Sequence, residues 1–132
     1  MTTYYHYTNK EGYQGILETR RIRPSFKSQG DANLGDGVYL TTIAPTEIEM
    51  CDENSIYDLV IELFGLTGSV DRLDYFFQLV LPDEQVTGFP DLLLDLGINP
   101  QELKPYEIRR VCLYKTNLSI EIGNASHGKT IS

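Results

Sequence analysis

The stretch "YYHYTNKEGYQGILETRRIRPS", residues 4–25, sets the frame of this chain, and "GDGVYLTT", residues 35–42, completes it. Residues 3–8 are rich in threonine and tyrosine and read as a strand. "TNKE" follows, with Thr8 as N-cap and Glu11 three residues on, the spacing of a capping box. Tyr13, Ile16 and Leu17 then recur at helical spacing, so residues 9–20 read as a short amphipathic helix, weakened by Gly12 and Gly15. "RIRPS" is a second short strand that ends at Pro24. Residues 26–37 form a loop rich in Gly, Asp, Asn and Ser, and "GVYLTT" is a strong strand.

Further along, Ser55 is placed to cap a helix with Ile56, Tyr57, Val60, Ile61 and Phe64 on one stripe and Gly65 at its end. "DYFFQLVLP" is apolar on both faces until Pro82 and reads as a central strand. Pro90 and Gly97 bracket a short Leu-rich helix, and "NPQEL" starts another turn. Residues 106–114 and 118–122 are the last two strands. Beyond Gly123 no apolar periodicity remains, so residues 123–132 are expected to be a mobile tail on a single domain of residues 1–122. Helices lie between strands early and strands follow one another late, which reads as α+β with a mostly antiparallel sheet system.

The chain has 132 residues, 41% of them apolar, and a formal net charge of −8. That length supports one core. The charge disfavours non-specific binding to nucleic acid or anionic membrane, which needs clustered Lys and Arg. "TRRIRP", residues 19–24, is the one dense basic stretch. It reads either as cations at a helix C-terminus or as an anchor for phosphate or carboxylate through Arg20, Arg21 or Arg23. The apolar runs "YFFQLVL" and "LVIELFGL" are too short to span a bilayer, and a basic-then-apolar leader is lacking. The expectation is a cytoplasmic protein, or a domain cut from a longer exported one. Cys51 and Cys112 have no CxxC spacing, so neither a zinc site nor a disulfide framework is expected.

Three residues carry candidate chemistry. His6 lies on the first strand, either as a hydrogen-bonded core residue or as a fixed donor or acceptor able to hold a ribose hydroxyl. Tyr39, within "GDGVYLTT", is either core area or a platform for a planar ring, with Gly35 and Gly37 letting a ligand come close. Glu107 opens "YEIRRVCLY", on the same alternating face as Arg109, Val111 and Leu113. It reads either as an exposed strand-end charge or as a carboxylate that stabilises a developing cation. Glu121 alternates with Ile120 and Ile122 and is read as facing solvent.

In the order "HYT", one helix, "RPS", polar loop, "GxGVYLT", the sequence resembles the toxin-type ADP-ribosyltransferases that carry the HYD1 signature, relatives of the diphtheria-toxin and poly-ADP-ribose-polymerase branch. The likeness is tight over residues 4–45 and loose afterwards. It implies a split β-sandwich with short helices around an NAD cleft, NAD as substrate and no metal. It implies that His6 holds the NAD ribose, that backbone near Tyr7 and Thr8 grips the carboxamide, that Tyr39 stacks on nicotinamide, and that Ser25 lines the cleft. Glu107 is the first choice for the acid and Asp31 the alternative. The diphtheria-type pattern has a second tyrosine soon after the first. "EMCDE" (residues 49–53) stands there in this chain, which leaves Tyr57 or Phe76 to supply the other wall. The implied activity is mono-ADP-ribosylation of a protein or other macromolecule by a toxin or effector domain. The alternatives are an NAD glycohydrolase and a catalytically inactive module that binds a partner or ADP-ribose.

Overall fold

The computed structural model describes residues 1–25, 35–65, 68–104, 109–116 and 118–131. Its elements run β1 (Thr2–Thr8), α1 (Lys10–Thr19), β2 (Arg21–Ile22), β3 (Val38–Leu40), α2 (Pro45–Glu49), α3 (Glu53–Phe64), β4 (Tyr75–Leu81), β5 (Val86–Gly88), α4 (Phe89–Asp95), β6 (Cys112–Tyr114), β7 (Ile120–Glu121) and β8 (His127–Lys129). Single 3-10 turns lie at Val70–Leu73, Asp83–Gln85 and Pro100–Glu102. Helices and antiparallel sheets mix, and the class is α+β.

The apolar run Tyr75–Leu81 is a central strand. β4 lies between β1 and β8 in one three-stranded sheet, with Thr2 opposite Leu81, Thr8 opposite Tyr75, and Phe77 opposite both His6 and His127. A second three-stranded sheet has the order β3-β6-β5, and β2 pairs with β7. Three apolar clusters hold these pieces. Tyr4, Ile22, Leu40, Phe77 and Ile120 are among those that join all three sheets in one core. Tyr7, Ile43, Ile48 and Leu63 are among those that pack α2 and α3 under β1. Phe89, Leu92, Val111 and Leu113 seat α4 on β6. Among the described residues no helix is long and apolar enough to cross a membrane.

Several expectations need correcting. Thr8 does not cap α1, because it is still paired in β1. Asn9 takes that role, its side chain accepting from Gly12 N at 2.9 Å. Gly12 has its own reason: a Cβ there would lie 2.0 Å from Thr8 Oγ1. Likewise Asp52, not Ser55, caps α3, accepting from Ser55 N at 2.8 Å. The face of α3 is also rotated. Leu59, Val60 and Leu63 are buried, while Tyr57 is 61% exposed and Ile61 lies at the surface. The strand expected over 106–114 is, among its described residues, only Cys112–Tyr114, and that over 118–122 only Ile120–Glu121. The tail expected after Gly123 is instead a turn and a strand. β8 pairs with β4, Gln78 N donates to Ser126 O at 2.8 Å, and Thr130 is buried. Such pairing runs through backbone, which side-chain periodicity does not report.

Close approach explains one glycine of "GDGVYLTT". Gly37 has φ +144°, and a Cβ there would sit 2.3 Å from the backbone oxygen of Tyr114 on β6. Gly37→Ala is therefore expected to lower stability by about 3 kcal/mol, the upper range for a strained backbone position. Gly15 of α1 has no neighbour within 4 Å of such a Cβ. There the same change is expected to raise stability by about 1 kcal/mol through helix propensity. Urea unfolding of the two variants against the parent checks both signs.

Candidate active site

β1 and β3 belong to different sheets and touch at one point. Tyr5 N donates to Thr41 O at 2.7 Å and Thr41 N to Tyr5 O at 2.9 Å. In an antiparallel ladder the next such exchange would join Tyr7 to Tyr39. Between β1 and β3 only the Tyr5–Thr41 bridge is formed, and the His6 side chain steps in. Its Nδ1–H donates to Tyr39 O at 2.9 Å, taking the carbonyl a continuing ladder would offer to Tyr7. Tyr5 gives its backbone groups to Thr41, so by the two-residue period those of Tyr7 turn to the same edge, away from β4. The strands splay, and Tyr7 N–H and C=O face the opening between them.

A cavity of about 270 Å³ occupies that opening. His6, Tyr7, Thr8, Ser25 and Tyr39 all line it, and Leu63, Phe64, Val111, Arg72 and Arg109 form its farther walls. Several are fixed from behind. Tyr39 donates its hydroxyl to Gly35 O at 2.7 Å, and its ring packs on the α4–β6 core. Ser25 exchanges backbone hydrogen bonds with Gly37, at 2.8 and 2.9 Å. Tyr7 donates its hydroxyl to Ile43 O at 2.6 Å, and burial pushes that phenol far above its usual range. Thr41, buried at the junction, donates its hydroxyl to Arg110 O at 2.8 Å and so ties β3 to the chain entering β6.

Not every expected residue arrives. Tyr57 stands on the outer face of α3 and does not line the cavity; Phe76 packs its ring edge against Tyr5 instead. Phe64 is the aromatic ring that α3 presents there. Glu107 and Asp31 lie outside the described residues. The arginines of "RRIR" that are fixed by side-chain contacts are engaged elsewhere. Arg20 ends α1 at φ 60° and donates from its guanidinium to Gly123 O at 2.7 Å, while Arg21 pairs with Glu121 at 2.8 Å.

Among the described residues, the cations at the cavity are two that sequence reasoning passed over. Arg109 was read only as a neighbour of Glu107, and Arg72 not at all. Arg109 donates from Nη2 to Leu63 O at 3.0 Å and from Nε to Glu62 O at 3.4 Å, closing the C-terminus of α3. Burial pulls its guanidinium below the ordinary value, with partial compensation from Tyr39. Arg72 lies over the ring of Phe64, 5.4 Å from its centroid. The alternation Arg109, Val111, Leu113 was the available signal for the first. For Arg72, flanked by Asp71 and Asp74, the local sequence gives none.

The same surroundings set the state of His6. Burial is the main force lowering its pKa below the ordinary 6.5, and the charge of Arg72 acts in the same direction; the Tyr39 carbonyl opposes them. The imidazole is thus neutral near pH 7, with Nδ1 carrying the proton and Nε2 free to accept. The unfolded chain takes up a proton near pH 6.5. The folded chain takes it up only at lower pH. Stability from this residue is therefore intact above pH 6.5 and declines as pH falls below it. His6→Gln is expected to remove that part of the decline, read as a flatter urea-midpoint profile between about pH 7 and pH 5.

No curated protein and no solved structure matches the chain significantly. One family model matches residues 4–62, just under half of the chain, and its description is HYD1 signature containing ADP-ribosyltransferase. The matched stretch carries His6, Tyr7, Thr8, Ser25 and Tyr39, so over part of its cavity lining the chain is similar to the ADP-ribosyltransferases with the HYD1 signature.

Proposed function

We propose that this chain is an NAD-dependent mono-ADP-ribosyltransferase whose β1 and β3 are the two lips of a split β-sandwich. The observation that carries the reading is the splay itself. His6 and Tyr39, from different sheets, meet at one cavity, and the Tyr7 peptide groups are turned into it. A carboxamide offers one acceptor and two donors, the complement of that N–H and C=O. Nicotinamide would bind there with Tyr39 against its ring and Phe64 opposite. His6, neutral and held at Nδ1, would accept a hydrogen bond from a ribose hydroxyl at Nε2.

The reaction breaks the bond between ribose C1′ and the pyridinium nitrogen. The electron pair goes to that nitrogen, so nicotinamide leaves neutral and needs no general acid. The barrier lies in the oxocarbenium character left on the ribose, as in glycoside cleavage. A carboxylate stabilises that charge, holds the 2′-hydroxyl, and takes the acceptor's proton as the new bond to C1′ forms. We assign this role to Glu107 on the resemblance, in which the acid stands late in the chain, and keep Asp31 as the second choice. The acceptor is a protein or another macromolecule. Water as acceptor would make the chain a glycohydrolase, and Tyr57's place outside the cavity is the observation that keeps a binding-only role in view.

Release of nicotinamide from NAD, with and without cell extract, tests these readings. Release only with extract is the expected result; release without it identifies water as acceptor. No release from a folded chain overturns the enzymatic reading. Glu107→Gln is expected to lower turnover by about 10² to 10³ while leaving NAD affinity within a few-fold. Unchanged turnover would move the role to Asp31. Tyr39→Ala is expected to weaken nicotinamide binding itself.

A further inference from the structure

The chain carries a net charge of −8, yet the described residues lining the cavity include two arginines and no carboxylate. Neither arginine belongs to an ion pair among the described residues, although Asp71 and Asp74 flank Arg72 in sequence and Asp71 is engaged by the Ser69 hydroxyl. Two guanidinium groups at one cavity, with no carboxylate partner among the described residues, make the cavity attractive to an anion brought from outside.

The two are not equivalent. Arg109 is half-buried and holds the Leu63 and Glu62 carbonyls, so it is a fixed background charge. Arg72 is exposed and sits in the 3-10 turn Val70–Leu73, anchored by the buried Leu73. Its side chain lies over the ring of Phe64 and makes no ion pair among the described residues, which leaves guanidinium N–H groups available for a bidentate partner.

We infer that Arg72, backed by Arg109, is the anchor for the diphosphate of the substrate, in place of the "RRIR" arginines that the sequence offered. This deepens the transferase reading and rests on it. It makes the ligand a dinucleotide rather than a nicotinamide nucleoside, because a nucleoside brings nothing for Arg72 to hold. Arg72 acts in binding, and its contact lies away from the bond that breaks.

Calorimetric titration of the whole chain tests this, with ADP-ribose, inorganic pyrophosphate and nicotinamide as separate probes. The proteins are the parent, Arg72→Gln, Arg72→Lys and Arg21→Gln. Loss of a charged, bidentate phosphate contact is expected to weaken ADP-ribose binding in Arg72→Gln by roughly tenfold to a hundredfold. Arg72→Lys should fall between, since it keeps the charge and loses the fork. Arg21→Gln and nicotinamide binding should be unchanged. Equal ADP-ribose affinity in the parent and Arg72→Gln, or an equal loss in Arg21→Gln, overturns the anchor. If that happens while nicotinamide still binds, the transferase reading stands alone. If ADP-ribose and pyrophosphate bind through Arg72 but nicotinamide does not bind and NAD is not cleaved, the anchor stands and the transferase reading fails. A parent that binds none of the probes overturns both.

Discussion

One side-chain hydrogen bond decides where two sheets part. His6 Nδ1–H occupies the carbonyl of Tyr39 that the β1–β3 ladder would use for its next rung. Below it, the Tyr5–Thr41 exchange holds the strands together. Above it they diverge around a cavity of about 270 Å³. A side chain that ends a ladder has two effects at once: it frees the backbone groups of Tyr7, and it fixes its own ring at the rim of the space it opens. A buried polar group needs a partner, and here the partner is the group whose capture makes the site.

The walls show a division of labour between rigidity and charge. Tyr39, Ser25 and Thr41 are fixed by backbone partners, and apolar packing from α4 and α3 backs the cavity. The arginines come from segments outside the signature stretch: a 3-10 turn before β4 and the approach to β6. The matched stretch thus supplies neutral hydrogen-bonding groups and part of the wall, and the rest of the chain supplies both arginines together with Leu63, Phe64 and Val111.

How much of this the sequence disclosed follows the same division. The strand of His6, the helix after it, the strand of Tyr39 and the central β4 were legible, because each is written in local pattern and turn chemistry. Around the cavity, His6 and Tyr39 drew notice as residues, but their meeting came from resemblance, since no periodicity says that β3 touches β1. The face of α3 was misread for a definite reason. Ile56, Tyr57, Leu59, Val60, Ile61, Leu63 and Phe64 cover most of its circumference, so more than one stripe fits a helical period. The stripe that includes Tyr57 is therefore no better marked in the sequence than the one that buries Leu63. The caps slipped because Thr8 and Asn9, like Asp52 and Ser55, are all competent N-caps, and strand pairing or helix length chose between them. β8 was missed because His127–Lys129 binds through backbone rather than through an apolar face.

The pairing register also governs the order in which the molecule can come together. β1 precedes its partner Tyr75–Leu81 by a long stretch of chain, and that strand's other edge waits for His127–Lys129. β3 waits in the same way for Cys112–Tyr114. Long loops must close before these contacts repay the entropy, a topology that folds slowly for its size. The two lips of the cavity are consequently among the last surfaces to be completed. A growing or partly unfolded chain carries His6 and Tyr39 without the cavity that gives them meaning.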